Sequence, residues 1–391
     1  MIYLDHNATT PPRAEAITAL VDCMRGVWAN ASSTHGPGQD AKRALAAARS
    51  QVAKCFGAKP SEVIFTSGAT EANHMAVHGA IARSGRRHLL TSAIEHAGFH
   101  KMLRQLPDAA VDWIPARPDG TLDLAAASRL MRDDLALLSV MAANNETGVC
   151  MPLAELAALA HSHGTLLHVD ATQWAGKLPL SLAESGADLI TLSAHKLGGP
   201  KGVGALLVRS ALAWPAWMAG SQERGRRGGT ENLPGIVGFG AACAALGRDE
   251  GLSAQAVRIA RLRDLLENGL LQALPGTVVW GRHAERLPNT SYLRFGLLPA
   301  DLVLQRMETL GIVAASGAAC ASGGSDPSHV LSAMGVDRDE ALCAVRLSLG
   351  AETTEAEVLD VLHRLPPVLA PLMSPEGQAA ESSEAAQPLL A

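Results

Sequence analysis

Six short apolar runs, at 62–66, 88–92, 137–142, 166–170, 188–193 and 202–208, recur along the chain with helix-like segments between many of them. Several are apolar on both faces, as strands buried inside a parallel sheet are. The intervening segments carry helical periodicity. Leu45, Ala48, Val52 and Cys55 repeat along one face, with Lys42, Arg43, Arg49 and Lys54 available for the wet side. Residues 153–160 predict a second helix. This alternation predicts an open, mostly parallel α/β sheet. In such sheets, ligands sit at the carboxyl ends of the strands. Beyond about residue 250 the pattern changes. A long helix over 254–274 is expected to stop at Pro275-Gly276, and shorter mixed elements predict a smaller α+β domain. From Ser374 onward the residues are small and polar, which predicts a disordered tail.

Composition narrows the possible functions. The chain has 391 residues, 48% of them hydrophobic, and a net charge of -5 without long charge blocks. That is enough for a large core and more than one domain. No apolar run reaches the roughly 18–20 residues of a membrane span, and Met1–His6 shows no secretory pattern. Neither a nucleic-acid surface nor a membrane surface is expected, and a cytoplasmic location is. Of the six cysteines, Cys23, Cys55, Cys150, Cys243 and Cys343 read as reduced thiols without metal-like spacing, so no metal site is expected.

Polar motifs follow the strands directly. Lys196 ends one apolar run and enters the glycine-rich stretch Leu197-Gly198-Gly199-Pro200. A lysine there is costly unless solvated, paired or covalently used, and burial can lower its pKa enough for Schiff-base chemistry. Thr66-Ser67-Gly68-Ala69-Thr70-Glu71 joins a strand to a helix and suits a phosphate at the helix N-terminus, although such turns are common in any fold. Asp170 ends the run 166–170. It could hold a protonated pyridine nitrogen or simply cap a helix. Gln173 follows within reach. His96 comes after another strand and could stack on a ring, move protons or serve structure alone. Together these residues supply what pyridoxal 5′-phosphate chemistry needs.

The order of motifs carries a resemblance. Tyr3–Pro11, Asn30–His35, Ser67–Glu71, Asn144–Gly148, His168–Gln173 and Gln222–Asn232 follow one another as in the cysteine desulfurases of the NifS/IscS group. This is a class-V aminotransferase family within the fold-type I pyridoxal-phosphate enzymes. The resemblance spans the chain to about residue 370, and the segments 144–148 and 222–232 are most similar to the nitrogen-fixation branch. It implies a large α/β domain over 15–252 with a mostly parallel seven-stranded sheet. A small α+β domain would comprise 1–14 and 253–373, followed by the tail 374–391. It further implies that Lys196 carries pyridoxal 5′-phosphate as a Schiff base and that Asp170 pairs with the pyridine nitrogen. Gln173 would contact the ring oxygen and His96 would stack on the ring. Ala69, Thr70, Ser193 and His195 would bind the phosphate, joined by Thr230 from the other subunit of a homodimer. Asn145 would lie near cofactor and substrate.

Cys320 lies among glycines and small residues, Ala315-Ser316-Gly317-Ala318-Ala319-Cys320-Ala321-Ser322-Gly323-Gly324. Such a segment has little to pack, and an accessible thiol there is a liability unless it reacts. The segment resembles the family's catalytic loop, which makes Cys320 the sulfur acceptor. Arg346, in Val345-Arg346-Leu347-Ser348-Leu349-Gly350, matches the family's Arg-x-Ser-Leu motif and would clamp the substrate carboxylate. The implied reaction converts L-cysteine to L-alanine and leaves a persulfide on Cys320 for an acceptor protein in iron–sulfur cluster assembly. Departures exist: Ala351 stands where many relatives have arginine, and Asn30-Ala31 where many have Asn-Pro. Selenocysteine lyase, another fold-type I lyase or aminotransferase, and a non-catalytic sulfur-delivery subunit are the alternatives. Cys320 argues against a transaminase. Retention of Lys196, Asp170, His96, Cys320 and Arg346 argues against a non-catalytic subunit.

Overall fold

The computed structural model describes residues 1–246, 248, 251–316 and 326–374. Twelve strands follow in chain order: β1 Ile2–Tyr3, β2 Val63–Thr66, β3 His88–Ser92, β4 Ala110–Ile114, β5 Leu135–Met141, β6 Leu167–Asp170, β7 Leu189–Ser193, β8 Gly204–Val208, β9 Thr277–Trp280, β10 Thr290–Phe295, β11 Ile312–Val313 and β12 Val345–Ser348. Seven of them form the main sheet, in the order β2-β8-β7-β6-β5-β3-β4. β7, β6, β5, β3 and β4 run parallel, while β8 is antiparallel to both β7 and β2. The expected seven-stranded, mostly parallel α/β architecture is therefore present. All six apolar runs became strands of this sheet.

Both faces of the sheet are buried, and successive residues alternate between two cores. Val63, Phe65, Leu138, Val140, Val169 and Ile190 face one core. The helices Gly36–Cys55 and Leu233–Ala245 pack on that side, with Leu45, Ala48 and Val52 inward as their spacing predicts. Ile64, Leu89, Leu137 and Leu206 face the other core, closed by Met75, Ala76 and Ala80 of the helix Ala69–Ser84. β4 is the one strand of the main sheet absent from the sequence reading. It is an edge strand, and only Ile114 of its five residues is fully buried. Its polar and apolar residues mix because one flank meets solvent.

The second half begins with the long helix Leu252–Ala273, which stops before Pro275 as expected. β9, β10 and β12 make an antiparallel sheet in the order β12-β10-β9, and β1 pairs in parallel with β11. Leu262, Leu266, Leu270, Leu293, Phe295, Val345 and Leu347 form a third core together with Ile2 and Leu4. The N-terminus is thus built into this half. Residues 5–10 then cross to the carboxyl ends of the main sheet, where Thr10 N donates to His195 O at 3.0 Å. Trp280, Tyr292, Val330 and Leu331 pack against the first core and seat the second half on the main sheet. Cys23, Cys150, Cys243 and Cys343 are buried free thiols, and Cys55 is half-buried. Among the described residues, no helix is long and apolar enough to cross a membrane.

Candidate active site

A cavity of about 500 Å³ opens at the carboxyl ends of the main strands, where a parallel sheet places its ligands. Ala69, Thr70, His96, Asn145, Asp170, Gln173, Ser193, His195 and Lys196 all line it. Nine of the twelve residues expected at the site are therefore together. Thr230 and Arg346 are not among its lining residues, and Cys320 lies outside the described residues.

Each element delivers its residue for a local reason. β6 and β7 are neighbouring parallel strands, so Asp170 at the end of one meets the turn after the other. β7 runs into the 3₁₀ helix Ala194–Lys196, which reverses the chain and brings Lys196 back over the strand ends. Lys196 Nζ donates to two backbone carbonyls of the N-terminal crossing, Asn7 O at 2.6 Å and Ala8 O at 2.8 Å. Thr66–Ala69 turns from β2 into a helix whose first N–H groups have no acceptor within the helix. The turn is held by Thr66 Oγ1 donating to Gly68 O at 3.0 Å and Ser67 N donating to Glu71 Oε2 at 2.6 Å. Gly204 of β8 lies beneath it. A Cβ there would sit 2.7 Å from Gly68 Cα, so only glycine lets the turn rest on the sheet.

Asp170 is 7% exposed. Its Oδ2 accepts from Asn73 Nδ2 at 2.7 Å and its Oδ1 from Thr172 N at 3.0 Å. No helix starts after Asp170, so the helix-cap reading is not met: Oδ1 holds a turn while the carboxylate lines the cavity. His96 Nδ1 accepts from Gly98 N at 3.1 Å and caps the helix Ala97–Arg104. Its ring is exposed to the cavity, yet the surrounding protein mass lowers its pKa, with Lys196 adding to the effect and Asp170 opposing it. A neutral ring whose Nδ1 accepts carries its proton on Nε2. Burial, then Lys196 and Lys201, push His195 down to about 4, and its Nδ1 sits 3.1 Å from Thr9 Oγ1. Behind His96, Glu95 is 1% exposed and accepts from Met141 N at 2.9 Å and from Ser92 Oγ. Burial raises its pKa to about 8.

Arg346 stands on β12, 4% exposed. Its Nη1 donates to Asn145 O at 2.9 Å and its Nη2 to Asp5 Oδ1 at 2.8 Å, while its Nε is buried without a partner. It touches the backbone of a lining residue rather than the cavity. Thr230 is exposed and lies in a separate hollow of about 160 Å³ that shares Ser67 and Gly202 with the main cavity.

The chain matches the aminotransferase class-V family over residues 2–361. A cysteine desulfurase of Cereibacter sphaeroides is 44% identical over 96% of this chain and 98% of its own. One from Rhodobacter capsulatus is 45% identical over 95% and 97%. The chain belongs to the cysteine desulfurase family. A solved NifS-like protein, 33% identical, superposes with a TM-score of 0.87 over 94% of this chain and 99% of its own. This family uses pyridoxal 5′-phosphate.

The cavity fits that cofactor on its own terms. Asn73 Oδ1, Asn145 Oδ1 and Thr172 Oγ1 are buried without partners, and all three residues line the cavity. An orphaned buried polar atom costs about 1–3 kcal/mol, so a desulfurase site with three of them is built for a polar ligand. The helix N-terminus at Ala69 and Thr70 suits the phosphate, and the carboxylate of Asp170 suits a protonated ring nitrogen. Sequence reasoning missed Asn7, Ala8, Thr9 and Asn73 as site residues. The first three belong to the Tyr3–Pro11 motif, but a segment far in sequence from every strand of the main sheet gives no sign that it crosses to the site. Asn73 lies one turn after Thr70, the helical spacing that could have found it.

Proposed function

We infer that this chain is a pyridoxal-phosphate-dependent cysteine desulfurase that converts L-cysteine to L-alanine and leaves the sulfur as a persulfide on Cys320. The observation that carries this reading is the convergence of Lys196 and Asp170 at the ends of adjacent parallel strands, in one cavity with His96 and the Ser67–Thr70 turn. Cys320 in its glycine-rich segment directs that site to sulfur chemistry.

The bound cofactor supplies an electron sink conjugated to the substrate amine. Lys196 anchors it and then takes and returns the proton at the substrate Cα. Asp170 holds the pyridine nitrogen protonated and Gln173 donates to the ring oxygen. The face of the His96 ring stacks on the cofactor ring, and its Nε2–H serves proton movement. Ala69, Thr70, Ser193 and His195 hold the phosphate, with Thr230 of the partner subunit. Arg346 is assigned the substrate carboxylate by its match to the Arg-x-Ser-Leu motif; held on Asp5 and Asn145 O outside the cavity lining, it has to turn toward the cavity to reach it, and Asn145 lies beside it. The Cys320 thiolate attacks the substrate sulfur: an S–S bond forms, the Cβ–S bond breaks, and the electron pair passes to Cβ, which gains a proton to give alanine.

A homodimer is part of this reading. Ile17, Met24 and Trp28 are 51%, 60% and 78% exposed. Met24 and Trp28 share a hollow with Thr230 and Glu231. That apolar surface beside the Thr230 loop suits a second copy. The reading also includes a cytoplasmic enzyme that passes sulfur to an iron–sulfur scaffold, with nitrogenase clusters the destination nearest to its motifs. It divides the chain into a large domain, 15–252, and a small one, 1–14 with 253–373; the disordered tail expected from 374 lies, apart from Ser374, outside the described residues.

The purified protein is expected to be yellow, and borohydride should fix the cofactor onto Lys196. L-cysteine with a thiol reductant should yield equal amounts of sulfide and alanine, and Cys320→Ala should abolish both products while keeping the colour. A colourless protein that takes up no cofactor, or a Cys320→Ala variant releasing sulfide at the parent rate, sinks the reading.

A further inference from the structure

Lys196 and Lys201 line the cavity; Lys177 is a third lysine, just beside it, to which the mechanism gives no role. It follows Gln173 by four residues in the turn after β6. Its Nζ donates to Gln173 Oε1 at 2.7 Å and to Asn7 Oδ1 at 2.7 Å. Both acceptors belong to residues that meet at Lys196. Asn7 O accepts from Lys196 Nζ at 2.6 Å and from Gln173 Nε2 at 2.9 Å. A small hollow of about 50 Å³ between the two halves is lined by Lys177 and Lys196 and by His6 and Asn289.

The charges facing Lys177 come from several elements. By surface area the residue is only partly buried, but the protein packed around its ammonium moves its pKa well below the ordinary lysine range. Lys196 from the 3₁₀ turn and Arg346 from β12 push the same way, and the Cys150 thiol opposes them. Lys177 in turn helps to hold His6 of the N-terminal crossing at about 4, after burial as the larger cause. A surface lysine idling in solvent would make neither pair of contacts.

A carboxamide has a donor end and an acceptor end of nearly equal shape. Which end faces a ligand is decided by its neighbours. Lys177 Nζ donates to Gln173 Oε1, so the oxygen of Gln173 lies on its side, and Nε2 gives one N–H to Asn7 O and keeps the other for the ligand side. It orients Asn7 in the same way. Asn7 Oδ1 also accepts from Asn289 Nδ2 at 3.1 Å, and Asn7 Nδ2 donates to Thr290 Oγ1 at 2.9 Å and to Asn145 O at 3.2 Å. Every polar atom of the Asn7 side chain is matched, and the carbonyl under Lys196 is held with it.

We propose that Lys177 is a positioning residue that fixes the donor end of Gln173 toward the cofactor's ring oxygen and, through Asn7, sets the seat of Lys196. This rests on the reading that Gln173 and Lys196 meet the cofactor. A donor held on the ring oxygen stabilises its anionic form and favours loss of the proton shared with the lysine linkage. Lys177 therefore lowers the pH at which the cofactor's visible absorption changes.

The test is a pH titration of visible absorption in the loaded protein, alongside the affinity of the cofactor-free protein for pyridoxal phosphate. Lys177→Met keeps the apolar stem and removes the donor. It is expected to raise the absorption midpoint by about one pH unit and to weaken cofactor binding about tenfold. In a Gln173→Leu background the same substitution should move the midpoint less, because only the route through Asn7 remains. Lys177→Arg keeps donors in place and is expected to titrate like the parent. It supplies the comparison if the methionine variant does not fold, since a displaced midpoint in the arginine variant also overturns the proposal. An unmoved midpoint in Lys177→Met, or an equal shift with and without Gln173, overturns it as well. A protein without a borohydride-fixable chromophore on Lys196 would instead defeat the site reading itself, so the two failures are distinguishable.

Discussion

Asp170 holds two protein partners, Asn73 and Thr172, in fixed geometry, so its carboxylate is oriented by packing rather than by the ligand. Asp170→Asn should keep the fold and the cofactor but lower kcat about a hundredfold or more, because a neutral amide no longer stabilises the protonated ring nitrogen. Steady-state kinetics with the absorption spectrum as a loading control check this. Glu95 makes the opposite electrostatic statement. Its folded pKa is raised to about 8 from an ordinary 4.5. Between those values the folded state binds more protons than the unfolded one, so its contribution is fully present below 4.5 and is lost as pH rises through 8. Glu95→Gln should therefore flatten the thermal stability profile, raising Tm by about 1–3 °C at pH 8 and less at pH 5. Lys196, Asp170 and His96 were legible in the sequence because each follows an apolar run directly. Asn7 and Lys177 were not, because their relevance comes from contacts across the sequence, those of Asn7 with Gln173, Lys177 and Lys196.

At the scale of elements, the site is a consequence of strand ends meeting one crossing segment. β2, β6 and β7 each deliver their motif at a carboxyl end, which the strand–motif order of the sequence already contained. β8 runs the other way, and Gly204 on it lets the 66–69 turn approach. Gly204→Ala should displace that turn, weaken cofactor affinity about tenfold or more and destabilise the fold by about 1–3 kcal/mol, by the ordinary cost of overpacking. Cofactor titration and denaturant unfolding check both effects. Gly350 has a comparable role, since a Cβ there would run into the His6 ring. β4 was not legible because an edge strand mixes polar and apolar residues, and periodicity distinguishes it poorly from a loop.

At the scale of the whole molecule, Thr230 is exposed and outside its own protomer's cavity, which is what the proposed homodimer would require of a residue serving the partner's site. Mixing Lys196→Ala and Thr230→Ala proteins under exchange should create one intact site in each mixed dimer, recovering about a quarter of the parent's sites. No recovery would place Thr230 outside the partner's site. The change of pattern near residue 250 was legible from the long helix and Pro275-Gly276. The seating of Trp280, Tyr292 and Leu331 on the first core was not, since nothing local marks a residue that packs across the two halves. The central claim joins Lys196 and Cys320 in one reaction. A single turnover of the loaded protein with L-cysteine and no reductant, followed by mass spectrometry of its peptides, tests it most directly. One alanine released per site and one extra sulfur on the Cys320 peptide are predicted. Alanine without sulfur on Cys320, or sulfur on another cysteine in its place, would contradict it.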